Sequence, residues 1–344
     1  MDAQGLPKWY RPAGQKTKFD FPRAKEGQRD RVEFVVGERE PGRPRRLDKF
    51  LHERFQGYSR SFLQQLIKTG RILVNGKPTR SNWHISSGEK ITILLPPGTR
   101  YEPEEIPFEV LYEDRWLLAL NKPAGLIVHP ARGHKTGTLY HGLLHYFRAR
   151  READPSFHIG TVHRLDVETS GVMVYALDQD AHGELTRQFE NRLVRKTYLC
   201  LAHGAPGFEV RELDAPIGVD PTCRVRAAVN GLDARPAQTR FECLSRAADG
   251  RFALLRACPH TGRGHQIRVH AKELGHPLLG DPLYGGSRDD PVFGDIAPRV
   301  CLHAESLSLV HPHSGQPITF TAPLPEDLRE LAQRLGLNVP RAAV

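Results

Sequence analysis

Within nine residues, His163-Arg164-Leu165-Asp166-Val167-Glu168-Thr169-Ser170-Gly171, the chain sets a cation, a carboxylate and a small polar turn side by side, and then its polarity collapses. Val172-Met173-Val174-Tyr175-Ala176-Leu177 follows, an apolar run whose length and β-branched content predict a buried strand. Asp166 therefore stands beside a turn that feeds a core strand, a rigid mounting for a reactive group. From the residues alone it either forms that turn by bonding its own backbone, as Asp commonly does, or presents its carboxylate for chemistry.

A chain of 344 residues is long enough for one large domain plus a small one, and its 39% hydrophobic and 26% charged content supplies an ordinary soluble core. No stretch approaches the ~18 apolar residues of a bilayer span. The opening residues Met1 to Tyr10 lack the apolar segment of a secretory leader, so a cytoplasmic protein is expected. Cys200, Cys223, Cys243, Cys258 and Cys301 form neither a Cys-x-x-Cys pair nor a zinc-like spacing, which indicates no disulfide framework. His303, His311 and His313 lie close together without a carboxylate or thiolate set, so no metal is expected. The net charge of +9 fits either a solvated basic surface or a polyanionic partner.

Residues 1–45 read as a basic, largely disordered arm: 12 Lys/Arg stand against 7 Asp/Glu through Arg46, with one short strand near Val32 to Val36. Leu47, Phe50, Leu51 and Phe55 then mark one face of a helix. Ser59 looks like the N-cap of a second helix with Phe62, Leu63, Leu66 and Ile67 inward and Gly70 as its stop. Arg71 to Val74 predicts a strand closed by Asn75-Gly76, a tight-hairpin pair, and Ile91 to Leu95 another. These elements resemble the S4 RNA-binding domain, here residues 46–97, through Arg46-Leu47-Asp48-Lys49-Phe50-Leu51, Ser59-Arg60-Ser61 and Leu66-Ile67-Lys68-Thr69-Gly70-Arg71. The resemblance implies that Arg46, Lys49, Arg60, Lys68 and Arg71 form one cationic face against phosphates. A Pro-containing linker, 98–105, leads to strands at Phe108 to Tyr112 and Trp116 to Leu120 and to a helix around Leu139 to Phe147. No GxGxxG fingerprint or regular βαβ alternation appears.

His163-Arg164-Leu165-Asp166 with Thr169-Ser170-Gly171 resembles the catalytic segment of the RluA-type RNA pseudouridine synthases. Further segments of that family follow in order: Asn121-Lys122-Pro123-Ala124-Gly125, Arg195-Lys196-Thr197-Tyr198-Leu199, Thr261-Gly262-Arg263-Gly264-His265-Gln266-Ile267-Arg268, and Gly275-His276-Pro277-Leu278-Leu279-Gly280-Asp281 with Tyr284-Gly285. The resemblance implies an α+β catalytic domain over residues 106–330, on a mixed, mostly antiparallel central sheet with a cleft, followed by a tail, 331–344. Gly264 stands where Ser or Thr is common, which loosens the expected order of its loop, and Ala271 where a larger apolar residue is usual.

The implied reaction is isomerisation of specific uridines to pseudouridine without a cofactor, in large-subunit (23S) rRNA, by a monomer without membrane contact. The same reaction on tRNA, or on both RNAs, is an alternative, as is a non-catalytic RNA-binding assembly factor. By the resemblance Asp166 is the catalytic carboxylate, attacking C1′ or abstracting a sugar proton, and Arg268 pairs with it. Tyr198 stacks on the base and is a candidate for C5 proton transfer, while Ile267 walls the pocket. Arg164 fills the space left by an extruded uridine, and His163 and Arg263 help bind the backbone.

Overall fold

The computed structural model describes residues 31–37, 45–55, 60–94, 101–131, 133–154, 157–285, 297 and 299–339, in a small unit up to Tyr101 and a large one from Glu102. In the small unit the two apolar stripes become helices α1 (Leu47–Arg54) and α2 (Arg60–Lys68), which bury Leu47, Leu51, Leu63 and Ile67. Six strands accompany them: β1 (Arg31–Val35), β2 (Arg45–Arg46), β3 (Ile72–Val74), β4 (Lys77–Pro78), β5 (His84–Ile85) and β6 (Lys90–Leu94). Asn75 and Gly76 both adopt positive φ, 50° and 77°, so β3 and β4 close through the turn that this pair favours.

The sheet runs β1-β6-β3-β4, and β2 pairs with β5. β1 pairs with β6 from Arg31 to Val35 and buries Val32 in the core of this unit. The folded unit therefore begins before residue 46, and the short strand expected in the arm is one of its sheet strands. The rest of the arm, the Ser59 cap and Pro96-Pro97-Gly98 lie outside the described residues.

The large unit is built on a ten-stranded sheet that includes β7 (Glu109–Glu113), β8 (Leu117–Lys122), β9 (Gly160–Thr161), β10 (Ser170–Ala176), β11 (Arg195–His203) and β12 (Val210–Asp214). A separate three-stranded sheet comprises β13 (Ile217–Val219), β14 (Ala227–Val229) and β15 (Leu232–Arg235). β16 (Gln238–Arg246), β17 (Phe252–Pro259), β18 (Leu302–Val310) and β19 (Pro317–Thr321) complete the large sheet. Its order is β12-β16-β17-β11-β18-β10-β8-β7, with β19 on β18 and β9 on β10. Every pairing in it is antiparallel except β10 with β18, so the expected mixed, mostly antiparallel α+β architecture is present.

All seven residues of β10 are buried, as the apolar run from Val172 requires. Helices α3 (Leu139–Tyr146) and α4 (Arg148–Ala153) precede it, and α5 (Gln179–Glu190) follows and packs Ala181 and Leu185 against Val172 and Val174. α6 (Gln266–Glu273) carries the arginine motif, so Arg268 stands on a helix and not on a surface strand. α7 (Glu326–Arg334) buries Leu328, Leu331 and Ala332 with Leu199, Leu201 and Leu254, and Leu337 joins them. Residues 331–337 are thus part of the core and not a tail.

Candidate active site

Asp166 lies in the turn entering β10, and that turn is closed by the main chain: Thr169 N donates to the Asp166 carbonyl at 3.1 Å. The backbone thereby does what an Asx side chain would do elsewhere, and the carboxylate is left for other partners. The next two carbonyls are also held. Val167 O accepts from Gly125 N at 2.9 Å and from Lys122 Nζ at 3.0 Å, and Glu168 O accepts from Arg299 Nη1 at 3.1 Å. Arg299 is in turn gripped by Asp327 at 2.6 and 3.1 Å.

Lys122 is fully buried and also donates to Pro123 O and Leu126 O. Burial, and then the charge of Arg299, pull its amine down to about 7 against the opposing pull of Asp166. Gly171, at φ 113°, follows the turn; a Cβ there would lie 2.2 Å from Ala304 O, so only glycine allows the close parallel approach of β10 to β18.

Arg268 reaches Asp166 from the other side of the site. Its Nε and Nη2 donate in a fork to the wholly buried Asp281 at 2.7 and 2.8 Å, which leaves Nη1 to donate to Asp166 Oδ2 at 3.2 Å. Burial disfavours the guanidinium charge, but Asp281 and then Asp166 outweigh it and raise the pKa above the ordinary value. The Tyr284 ring lies 5.2 Å from the guanidinium carbon, and its hydroxyl bonds His265 Nδ1 at 2.9 Å and accepts from Ala227 N. His265 Nε2 stands 4.0 Å from Asp166 Oδ2, and burial lowers its pKa despite that carboxylate.

The loop before α6 is stapled by Gln266. Its Oε1 accepts from Thr261 Oγ1 and Arg263 N at 2.7 and 3.0 Å, and its Nε2 donates to Gln238 O and Thr239 Oγ1, both at 2.9 Å. Gly264 therefore sits in a loop fixed from Gln266, and Ala271 fills a fully buried place beside Ile267 and Leu255.

Tyr198 stands on β11 at a bulge against β18. Ala304 is the shared neighbour, facing Tyr198 on one side and Gly171 on the other, which sets the tyrosine two strands from the turn that carries Asp166. The Tyr198 ring packs on the cluster containing Ile267, and burial together with the charge of Asp166 pushes its phenol pKa up.

Asp166, Arg268, Tyr198 and Ile267 all line one cleft of about 1280 Å³, and Arg164, His163 and Arg263 line it as well. Arg164 is exposed there. Arg263 spends its Nε on Pro236 O at 3.2 Å. The phosphate-binding part expected of His163 does not fit its surroundings. Its Nε2 accepts from Val174 N at 3.0 Å, its ring stacks on Phe189, and burial lowers its pKa to about 3, so the ring is neutral and braces β10.

In the small unit the expected cationic face is only partly available. Arg46 and Arg60 both donate to the wholly buried Asp48, at 3.1 and 2.7 Å, and Gln64 joins them at 2.7 Å. Burial alone would raise the Asp48 carboxyl, but these bonds outweigh it and hold it at about 2. The two guanidiniums are therefore half-spent on structure, whereas Lys49 and Lys68 are exposed and Arg71 is half-buried.

Asp281, Tyr284, His265 and Lys122 belong to segments singled out in the sequence, but no role had been assigned to them; Arg299 and Asp327 had not been noticed. A signal existed for two of them. Asp281 ends the apolar Pro277-Leu278-Leu279-Gly280 and Lys122 follows the apolar β8, and an ionisable group buried beside such runs must have a partner. The histidines have other duties: His303 bridges Ser170 Oγ and Ala322 O, and His311 bonds Asp114 at 2.7 Å. Among the described residues no group of three or more His, Cys, Asp or Glu is arranged to hold a metal, and no helix is long and apolar enough to cross a membrane.

A paired carboxylate and guanidinium, an aromatic wall and a cleft with room for a nucleotide and its neighbours suit chemistry at a sugar carbon with a base held alongside. Known proteins agree with that geometry. The RNA pseudouridylate synthase family model matches residues 116–273 and the S4 domain model residues 45–91. The uncharacterized RNA pseudouridine synthase YlyB of Bacillus subtilis is 38% identical, over 85% of this chain and 95% of its own. Ribosomal large subunit pseudouridine synthase D of Xanthomonas campestris is 40% identical, over 87% and 91%. Human RNA pseudouridylate synthase domain containing 4 superposes with a TM-score of 0.53 at 26% identity, covering 68% of this chain and 95% of that one. The chain belongs to the RNA pseudouridine synthase family, with an S4 domain ahead of its catalytic domain.

Proposed function

We propose that this isomerase converts uridine to pseudouridine in large-subunit rRNA, and that Asp166 is the carboxylate that works at the sugar. The reaction breaks N1–C1′, forms C5–C1′, removes the proton at C5 and returns one at N1, so nothing is oxidised and no group is imported. Asp166 attacks C1′ or takes a sugar proton, and either act needs its anion. The observation that carries the assignment is the division of labour in Arg268: two nitrogens are fixed on Asp281 and the third is aimed at Asp166.

Tyr198 supports the detached uracil with its ring. Its raised pKa keeps the phenol protonated, so its hydroxyl oxygen takes the C5 proton only as its own proton passes on toward N1 or solvent, and no free phenolate forms. Arg164, exposed in the cleft two residues before Asp166, suits the space vacated by a flipped uridine, whose extrusion costs a few kcal/mol. The S4 domain and the relatives named for the large ribosomal subunit favour rRNA over tRNA. Linking a phosphate-binding module to a catalytic domain multiplies apparent affinity by ~10²–10⁴, which suits a large structured RNA.

Chemical mapping of pseudouridine in rRNA and tRNA from cells with and without the protein tests the target. Loss confined to the large-subunit rRNA is expected; loss confined to tRNA would overturn the choice.

A further inference from the structure

The geometry points to a second RNA contact, a stacking subsite for an unpaired nucleobase built on Trp83 of the small unit. This subsite rests on the reading of that unit as an RNA contact. Trp83 is 47% exposed, unusual for so large an apolar surface. Among the described residues no ring, cation or hydrogen-bond acceptor engages its indole. Its backbone, by contrast, is fixed: Trp83 N donates to Arg80 O at 2.9 Å, and Trp83 O accepts from Leu47 N at 2.7 Å. A flat, unpartnered ring on a rigid mount is a platform.

The neighbourhood is cationic. Arg46 opposes His84 across the β2–β5 ladder, one residue from Trp83. The carboxylate between Arg46 and Arg60 is wholly buried, so the guanidiniums are what this part of the surface exposes. The turn that carries Trp83 also borders a hollow of about 600 Å³ lined by Gln64, Lys68, Thr79, Arg80 and Ser81. The Thr79 hydroxyl is buried and has no protein hydrogen-bond partner among the described residues. Lysine and arginine donors beside one exposed indole match a nucleotide whose phosphate meets the donors and whose base meets the ring. Away from its ends a duplex shows its phosphates and 2′-hydroxyls but no base faces, so the occupant is an unpaired base in a loop, bulge or single strand.

The test uses the full chain and two probes: a stem–loop RNA with a single-stranded uridine-rich loop, and a blunt duplex of the same stem. Trp83→Ala should weaken loop binding about 5- to 150-fold, the equivalent of the ~1–3 kcal/mol of one base–aromatic stack, and leave duplex binding unchanged. Trp83→Phe should keep most of the loop affinity but lose the loop-dependent quenching of tryptophan emission. Unchanged loop affinity in Trp83→Ala, or equal losses on both probes, would overturn the subsite. The double variant Lys68→Glu with Arg80→Glu tests the parent reading, because it should weaken both RNAs. If it weakens neither, the RNA contact of this unit fails as a whole; if it weakens both while Trp83→Ala weakens neither, only the stacking subsite fails.

Discussion

Replacing Asp281 with Asn separates the positioning of Arg268 from the chemistry proposed for Asp166, because Asp281 lies behind the guanidinium and does not line the cleft. The wild-type carboxylate accepts from Arg268 Nε at 2.7 Å, from Nη2 at 2.8 Å and from Leu283 N at 3.0 Å. An amide supplies one acceptor oxygen and turns an NH₂ toward a donor. Arg268 is then a buried cation with half its fork unsatisfied, and removing one partner of a buried ion pair costs about 3–5 kcal/mol. At about 2–4 °C per kcal/mol for a domain of this size, the melting temperature should fall by roughly 6–20 °C.

A guanidinium freed from Asp281 also leaves Asp166, and a shift of about 1 Å in a reacting constellation costs on the order of 10²-fold. Release of tritium from C5-labelled uridine in RNA, followed under single-turnover conditions, reads that step directly. We expect a rate at least about 100-fold lower with RNA affinity within a few-fold of wild type. A variant that melts within 2 °C of wild type (about 1 kcal/mol or less by the same conversion) and releases tritium at the wild-type rate would refute Asp281 as the anchor of Arg268.

Tyr198→Phe keeps the ring and removes the hydroxyl, so KM should hold while kcat falls by about 10²–10⁴, the usual worth of a positioned proton-transfer group; full kcat would confine Tyr198 to stacking. Acid should destabilise the fold through His303, which burial pulls from 6.5 to about 4. The folded state keeps the imidazole neutral while the unfolded chain takes up a proton below about 6.5. Its contribution is therefore complete above that pH and is lost between about 6.5 and 4, to the extent of about 3 kcal/mol. Urea midpoints at pH 7 and 4.5 should drop further in wild type than in His303→Asn; equal drops would contradict this.

The strand after Gly171 was legible because Val172 to Leu177 are six consecutive buried apolar residues, and the β3–β4 hairpin because Asn75-Gly76 tolerates positive φ at both positions. Asp166, Tyr198 and Arg268 were legible only as a set, since each alone is an ordinary turn, core or surface residue. The partners of the supporting groups were not. Asp281 meets Arg268 across 13 positions and Arg299 meets Glu168 across 131, and pairings set by tertiary packing leave no local period. His163 and Arg46 misled for a related reason: a cationic residue type says nothing about whether a buried backbone amide or carboxylate has already claimed it.

Asp166→Asn is nearly isosteric and leaves the turn intact, because that turn is closed by the main-chain bond from Thr169 N to Asp166 O. Tritium release from C5-labelled uridine in large-subunit rRNA by this variant is the most direct measurement of the central claim. No release above background, with RNA bound as tightly as by wild type, is the expected result. Release at the wild-type rate would contradict the assignment of Asp166 as the catalytic carboxylate.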